Sequence, residues 1–171
     1  SYDDIPFFRL ADAKMMKAEC LLRLGGYKGE TKEDAAELVT EVRRRAFDNE
    51  ADAKRTVADL EGNSVYKYGY WENTAKQDES DNITSELDTN GDIELGGLLD
   101  DLAWEFVAEH HRRQDLIRFR MTNGQNVFNG KSWFCKDRKE DVNDNHCDIF
   151  PIHKTFLEGN LKLKQNPGYG G

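Results

Sequence analysis

The feature that most constrains the fold is a pair of helix-length segments joined by a glycine-containing turn. Residues 7–24 carry apolar side chains at every third or fourth position, which places them on one face of a helix. Gly25 and Gly26 end that pattern, because glycine readily adopts the left-handed conformation that closes helices. A second amphipathic helix is predicted after Thr31, where Asp34 completes a capping box. Two such helices joined by a short connection predict an antiparallel αα-hairpin. The two apolar faces are Phe8, Ala11, Met15, Ala18 and Leu22, then Ala35, Leu38, Val39, Val42 and Ala46.

A third, long helix is predicted over residues 98–120, with leucine, phenylalanine and isoleucine side chains recurring on one side. Trp104 is predicted to lie in the core. Glu105 and Glu109 lie one turn apart on this helix, a spacing that suits the acid–base pair of a glycosidase. Arginines follow one turn later, which favours a structural ion network instead. The predicted network is Glu105, Glu109, Arg112, Arg113 and Asp115.

The negative charge of the chain is concentrated in residues 61–97. The chain has 24 basic and 33 acidic residues, a net charge of −9, which argues against binding nucleic acid. The 61–97 segment holds nine acidic residues and two lysines without a helical period, and it predicts a long surface loop. No apolar run is long enough to span a membrane. The chain thus divides into a helical hairpin region (1–60), this acidic loop, the long helix (98–120), and a second loop with a C-terminal anchor (121–171).

The acidic loop also contains aromatic residues that could stack on sugars. Pyranose C–H groups pack on aromatic faces, and Tyr66, Tyr68 and Tyr70 would share one side of an extended segment. Trp71 is the strongest single candidate for glycan contact, and Trp133 in the second loop is another. The alternative is that these aromatic residues pin their loops to the helical body.

The sequence predicts no catalytic residue, no cofactor and no metal ligand set. It has no nucleophile elbow, no zinc-protease motif and no phosphate-binding loop. The stretch from Asp88 to Glu94 begins like a calcium-binding EF-hand loop but lacks the required glycine and the final glutamate. Weaker calcium binding by the acidic loop is left open. A disulfide between Cys135 and Cys147 is also left open, since it depends on the redox compartment.

Short motifs distributed along the chain carry a family resemblance. Gly25-Gly26-Tyr27, followed by Glu33-Asp34-Ala35, resembles the middle of a tetratricopeptide repeat. Residues 5–12, continuing to Lys17-Ala18-Glu19, are similar to the "IPxxRxADxxLxxAE" helix of the SusD/RagB family, the surface glycan-binding lipoproteins of Bacteroidota. Residues 42–46 are similar to the "NxVRxRA" helix end of the same family.

The two most specific motifs lie in the second half of the chain. Trp104-Glu105-Phe106, with residues 109–119, resembles the family's "WEFxxEGxRRxDLIRFG" helix. Phe150-Pro151-Ile152, with residues 160–169, resembles its C-terminal "FPIP…NPNLKQNPGY". Three departures are His110 at a position where the family often has a small residue, Arg120 in place of glycine, and His153 in place of the second proline.

The resemblance implies an all-α fold built from tetratricopeptide-like helix pairs, with further helices and long irregular loops. It implies a non-enzymatic protein that binds oligosaccharide or polysaccharide at the cell surface and serves a SusC-like TonB-dependent outer-membrane transporter. It also implies a signal peptide and a lipidated cysteine upstream of this sequence, so that the chain is the C-terminal part of a longer outer-membrane lipoprotein. The alternative is an interaction module that docks on the transporter, with sugar binding confined to the upstream half.

Overall fold

The computed structural model describes residues 8–66, 70–72, 85–87, 92–130 and 146–170. The fold is all-α, as predicted, apart from two three-residue strands. The first half contains α1 (Leu10–Leu24), α2 (Lys32–Arg44), α3 (Glu50–Ala53), α4 (Val57–Glu61), β1 (Tyr70–Glu72) and β2 (Ser85–Leu87). The second half contains α5 (Gly96–Glu105), α6 (Arg112–Arg118), α7 (Val127–Gly130), a 3-10 turn (His146–Asp148) and α8 (Lys154–Gly159). The strands are antiparallel, with Trp71 opposite Glu86.

The αα-hairpin predicted from the glycine turn is confirmed, because α1 and α2 pack side by side. Gly25 adopts a left-handed φ of 73° at the end of α1. Thr31 and Asp34 form the predicted capping box, with the Asp34 carboxylate accepting a hydrogen bond from the Thr31 N–H at 2.7 Å. The start of the first helix was predicted too early, since α1 begins at Leu10. The N–H of Arg9 donates to the Asp12 carboxylate at 2.8 Å and caps the helix there.

The prediction of one long helix over residues 98–120 is wrong, because the segment forms two helices. The chain turns between α5 and α6, where Ala108 and His110 both adopt a φ of 64°, which no continuing helix allows. Arg112 then donates from Nη1 to the carbonyl oxygen of Leu99 at 3.0 Å. In a continuous helix these two residues would be about 20 Å apart along the axis. The break therefore folds α6 back onto α5.

Gly96 and Gly97 belong to α5 rather than to the loop in which the sequence placed them. The first turn of α5 presses against the end of α4, and a Cβ atom on Gly97 would lie 1.8 Å from the carbonyl oxygen of Asp59. A Cβ on Gly96 would lie 2.1 Å from the backbone nitrogen of Ser64. Only glycine permits so close an approach of two backbones.

One apolar core joins the hairpin to the later helices. It is built from the facing sides of α1, α2, α5 and α6, with Leu60 from α4 and side chains that follow α6. The most deeply buried large side chains are Met15, Val39, Leu60, Leu98, Leu99, Leu116, Phe119, Met121 and Val127. In the part of the chain that the structure describes, no helix has both the length and the apolar character needed to cross a bilayer.

Candidate functional site

Trp104 lies at the surface in the last turn of α5, not in the core as its helical position had predicted. Its side chain is 39% exposed. The indole Nε1–H donates to the hydroxyl of Tyr66 at 2.5 Å, and the two rings meet edge to face with centroids 6.2 Å apart. Tyr66, one of the predicted glycan-binding residues, is therefore half of an exposed aromatic pair.

Arginine side chains hold Trp104 in place. The guanidinium of Arg43 lies 4.7 Å from the ring centroid of Phe47 and 5.5 Å from that of Trp104. The guanidinium of Arg55 lies 5.3 Å from the Trp104 ring. These cation–π contacts tie the end of α2 to α5 and fix the orientation of both aromatic rings.

The buried Asp101 carboxylate binds the same two arginines. It is 1% exposed and accepts hydrogen bonds from Arg43 and from Arg55, the latter through Nε at 2.8 Å. Arg43 also donates from Nε to the carbonyl oxygen of Ala53 at 2.9 Å. A carboxylate shared by two guanidinium groups in a dry site holds both in a defined geometry.

A cleft of about 490 Å³ opens between the C-terminal end of α2 and the last two turns of α5. Buried Met15 and Val42 contribute apolar surface, and Phe47 and Trp104 contribute exposed aromatic surface. Arg45 and Glu105 add polar groups to the lining. Its size falls within the range of about 300–1,000 Å³ that is usual for small-molecule sites.

Glu105 and Glu109 are joined by a cation that the sequence analysis did not identify. Arg9 is the residue just before α1. It donates from Nη1 to Glu105 Oε1, and from Nη2 to Glu109 Oε1 at 2.7 Å. Its Nε donates to Glu109 Oε2 at 2.8 Å. The hydrogen bonds from Arg9 hold the pKa of Glu109 below its usual value. Arg9 is about 100 residues away in sequence, so no local spacing indicated the contact.

The remaining members of the predicted ion network make other contacts. Burial lowers the pKa of Arg112, which binds the Leu99 carbonyl. Arg113 lies 4.2 Å from the ring centroid of Phe150 and donates to a backbone carbonyl of the 3-10 turn. Asp115 pairs with Arg118 at 2.7 Å, while burial raises its pKa. These contacts stabilise the fold around α6.

The other predicted glycan-binding residues are placed only in part. Tyr70 and Trp71 lie in β1, where the backbone alone is described. Tyr68 and Trp133 lie outside the described residues, as does Cys135, and nothing is described of the Cys147 side chain. Sequence reasoning missed Phe47 and Trp104 as surface aromatic residues, because both lie beside helix ends whose positions the periodicity did not fix.

The fold and the cleft define a class: an all-α protein with a tetratricopeptide-like hairpin and an aromatic surface cleft. The SusD family model matches residues 1–169, and the chain therefore belongs to the SusD family. The chain is 27% identical over 167 residues to the starch-binding protein SusD of Bacteroides thetaiotaomicron. That match covers 97% of this chain and 22% of the relative, so the chain spans about a fifth of the relative's length. No solved structure was found to match the chain.

Proposed function

We propose that this chain is part of a cell-surface glycan-binding protein that assists nutrient uptake through a TonB-dependent transporter. The observation that carries the proposal is membership of the SusD family over residues 1–169. The similarity to a protein named for starch binding points to an oligosaccharide or polysaccharide as the ligand. The upstream lipid anchor and the location at the outer membrane are part of the same proposal.

The surface chemistry of the described residues supports sugar binding. Trp104 and Tyr66 form an exposed aromatic pair, and Phe47 adds a third ring beside the cleft. Sugar rings stack on such faces through their C–H groups, while polar neighbours satisfy the hydroxyls. We propose Trp71, Tyr70, Tyr68 and Trp133 as further contacts, with Trp71 the foremost of these.

Binding rather than catalysis is favoured by the pairing of the two glutamates, Glu105 and Glu109, with Arg9. Glu105 and Glu109 share one guanidinium, that of Arg9. A general acid needs a raised pKa so that it holds a proton at neutral pH. Arg9 instead lowers the pKa of Glu109, which keeps this carboxylate ionised. The pair therefore stabilises the junction between the start of α1 and the end of α5.

The test is a calorimetric titration of the chain with a panel of plant, host and microbial oligosaccharides. We expect saturable binding of one class, weakened by Trp71→Ala. Tyr27→Ala is the matched control, since Tyr27 is an exposed aromatic residue in the hairpin turn, apart from the cleft lining. Equal binding by the Trp71 variant and the wild type would remove Trp71 from the site. No binding across the panel would contradict sugar binding by this part of the protein.

The second candidate is an interaction module that docks on the transporter. The observation in its favour is the exposure of apolar side chains along the outer side of α1, including Leu10, Met16 and Leu24. Met16→Lys would then reduce capture of the transporter in a pull-down and leave oligosaccharide binding unchanged. Undiminished capture would count against docking through this side of α1.

A further inference from the structure

One oxygen of a buried carboxylate in the cleft is left without a partner. Glu105 is only 9% exposed, and its Oε1 accepts from both Arg9 and Arg45, the latter at 2.6 Å. Oε2 accepts no hydrogen bond from any residue that the structure describes. A carboxylate oxygen removed from water is stabilised by a hydrogen-bond donor, because an unpaired acceptor bears the full cost of its desolvation. The cleft therefore offers a preformed hydrogen-bond acceptor to a ligand.

The same cleft offers hydrogen-bond donors beside that carboxylate. Arg45 is 63% exposed, and within the described residues it donates only from Nη2, to Glu105. Its remaining N–H groups are free to bind a ligand. By contrast, Arg43 uses Nε, Nη1 and Nη2 on Ala53, Asp101 and Asp52. The polar lining thus presents both a donor and an acceptor, which suits hydroxyl groups because each can do both.

The charges of the cleft favour a neutral ligand over an acidic one. Its two lining cations, Arg43 and Arg45, are each paired with a lining carboxylate, Asp101 and Glu105. Each carboxylate also binds an arginine outside the lining, Arg55 and Arg9 respectively. An anion placed on Arg45 would lie beside the unpaired oxygen of Glu105 and would be repelled by it. A hydroxyl group in the same place would donate to that oxygen.

The apolar lining completes the requirements for a sugar ring. Trp104 and Phe47 present partly exposed rings to the cleft, and Met15 and Val42 add aliphatic surface. Cation–π contacts with Arg43 hold both rings in place before any ligand arrives. Such preorganisation reduces the entropy lost on binding.

We propose that the cleft between α2 and α5 is a subsite for about one or two neutral sugar rings. In it, a ring hydroxyl donates to Glu105 Oε2, another accepts from Arg45, and the C–H face packs on Trp104 and Phe47. The inference rests on the proposed glycan-binding function and adds a location and a ligand class to it.

The test uses a variant whose larger side chain occupies the cleft while every residue of its ion pairs is kept. Ala46 is exposed and lines the cleft, so Ala46→Phe would occupy its volume. Ala58→Phe is the matched control, because Ala58 is exposed on α4 and is absent from the cleft lining. Wild type and both variants are titrated by calorimetry with maltotriose, cellotriose and xylotriose as neutral probes, and with trigalacturonate as the acidic probe.

We expect a neutral trisaccharide to bind wild type and the Ala58 variant alike, and the Ala46 variant at least about tenfold more weakly. Trigalacturonate should bind more weakly than the neutral probes. Equal binding by all three proteins would overturn the subsite and leave glycan binding elsewhere on the chain intact. Preferred binding of trigalacturonate would overturn the neutral ligand class. Failure of wild type to bind any probe would overturn the subsite, and the broader panel described above then decides the proposed function separately.

Discussion

Arg9 makes more long-range contacts than its position outside any helix would indicate. Its guanidinium bonds two carboxylates and the backbone carbonyl of Glu105, and it lies 4.8 Å from the ring centroid of Phe106. A planar group with several fixed donors can satisfy these partners together, whereas an ammonium group cannot. The residue therefore joins the start of α1 to the end of α5.

Arg9→Lys should lower the free energy of unfolding by about 1–3 kcal/mol, because charge-assisted hydrogen bonds are lost from a partly buried site. Arg44→Lys is the control. Arg44 pairs with Glu37 and Glu50 at the exposed side of α2, where water and salt screen such pairs, so the change should cost less there. Urea unfolding followed by circular dichroism measures both. Equal losses in the free energy of unfolding would show that the Arg9 guanidinium contributes no more to stability than that of Arg44.

Individual residues also show why the surface aromatic residues escaped sequence reasoning. Trp104 has the spacing of a core residue only if the helix continues past it, and the helix ends at Glu105. Phe47 follows α2 in a turn with no period to interpret. Tyr66 could be selected from its neighbours, but its partner Trp104 lies 38 residues away. Sequence spacing indicates which residue types are present, whereas pairing across the fold decides which form a site.

At the scale of the helix, the first turn of α5 requires glycine, because there is no room for a side chain at Gly97. Gly97→Ala should destabilise the protein by about 1–3 kcal/mol or more, because the new Cβ would meet the backbone oxygen of Asp59 at 1.8 Å and backbone cannot move aside like a side chain. Gly159→Ala in α8 is the control, since a Cβ there meets no atom within 4 Å. Thermal melts of the two variants provide the comparison. Similar melting temperatures would contradict the close packing of α4 on α5.

The turn between α5 and α6 stores backbone strain. Ala108 adopts a φ of 64°, a left-handed conformation that costs an alanine about 1–2 kcal/mol. Ala108→Gly should therefore increase the free energy of unfolding by up to about 1 kcal/mol, after the entropy that glycine loses on folding. The same change at Ala103, inside α5, should decrease it by about 1 kcal/mol. Chemical denaturation of both variants would reveal the opposite signs, and a loss of stability at both sites would argue against the break.

Elements could be predicted where their signals were local. The glycine turn and the capping box at Thr31 both act within a few residues, and both are confirmed. The break after α5 has no proline and no glycine to mark it, and it arises because α6 packs back on α5. The packing of α5 against α4 likewise places the start of α5 at Gly96, within the predicted loop. Long-range packing thus decided the features that the periodicity missed.

On the scale of the whole molecule, the buried carboxylates differ in whether a charged group compensates them. The chain has a net charge of −9, and within its described residues a few carboxylates lie deep in the fold. Asp101 and Asp115 have arginine partners, whereas Asp100 accepts hydrogen bonds from the Ser64 hydroxyl at 2.6 Å and the Val65 N–H at 2.7 Å. Neither donor carries a charge, so the ionised form of Asp100 is poorly compensated in its buried site.

This arrangement predicts an unusual response to mild acid. Burial raises the pKa of Asp100 above its usual 3.8, so the folded protein binds this proton more readily than the unfolded chain. Its contribution to stability therefore increases as pH falls from 7 through the raised pKa and levels off below 3.8. Glu109 acts in the opposite direction: its pKa lies below the usual 4.5, and its contribution is lost as pH falls below that value.

Asp100→Asn separates the two effects, because asparagine keeps the shape and can bond Ser64 and Val65 without titrating. Melting temperatures of wild type and variant, measured at steps from pH 7 to pH 4, should converge or cross in favour of wild type as the pH falls. The variant should retain the loss below pH 4.5 that Glu109 causes. Parallel curves across the whole range would show that Asp100 titrates alike in the folded and unfolded states. Its burial in the junction between α5 and the Ser64–Val65 turn would then be contradicted.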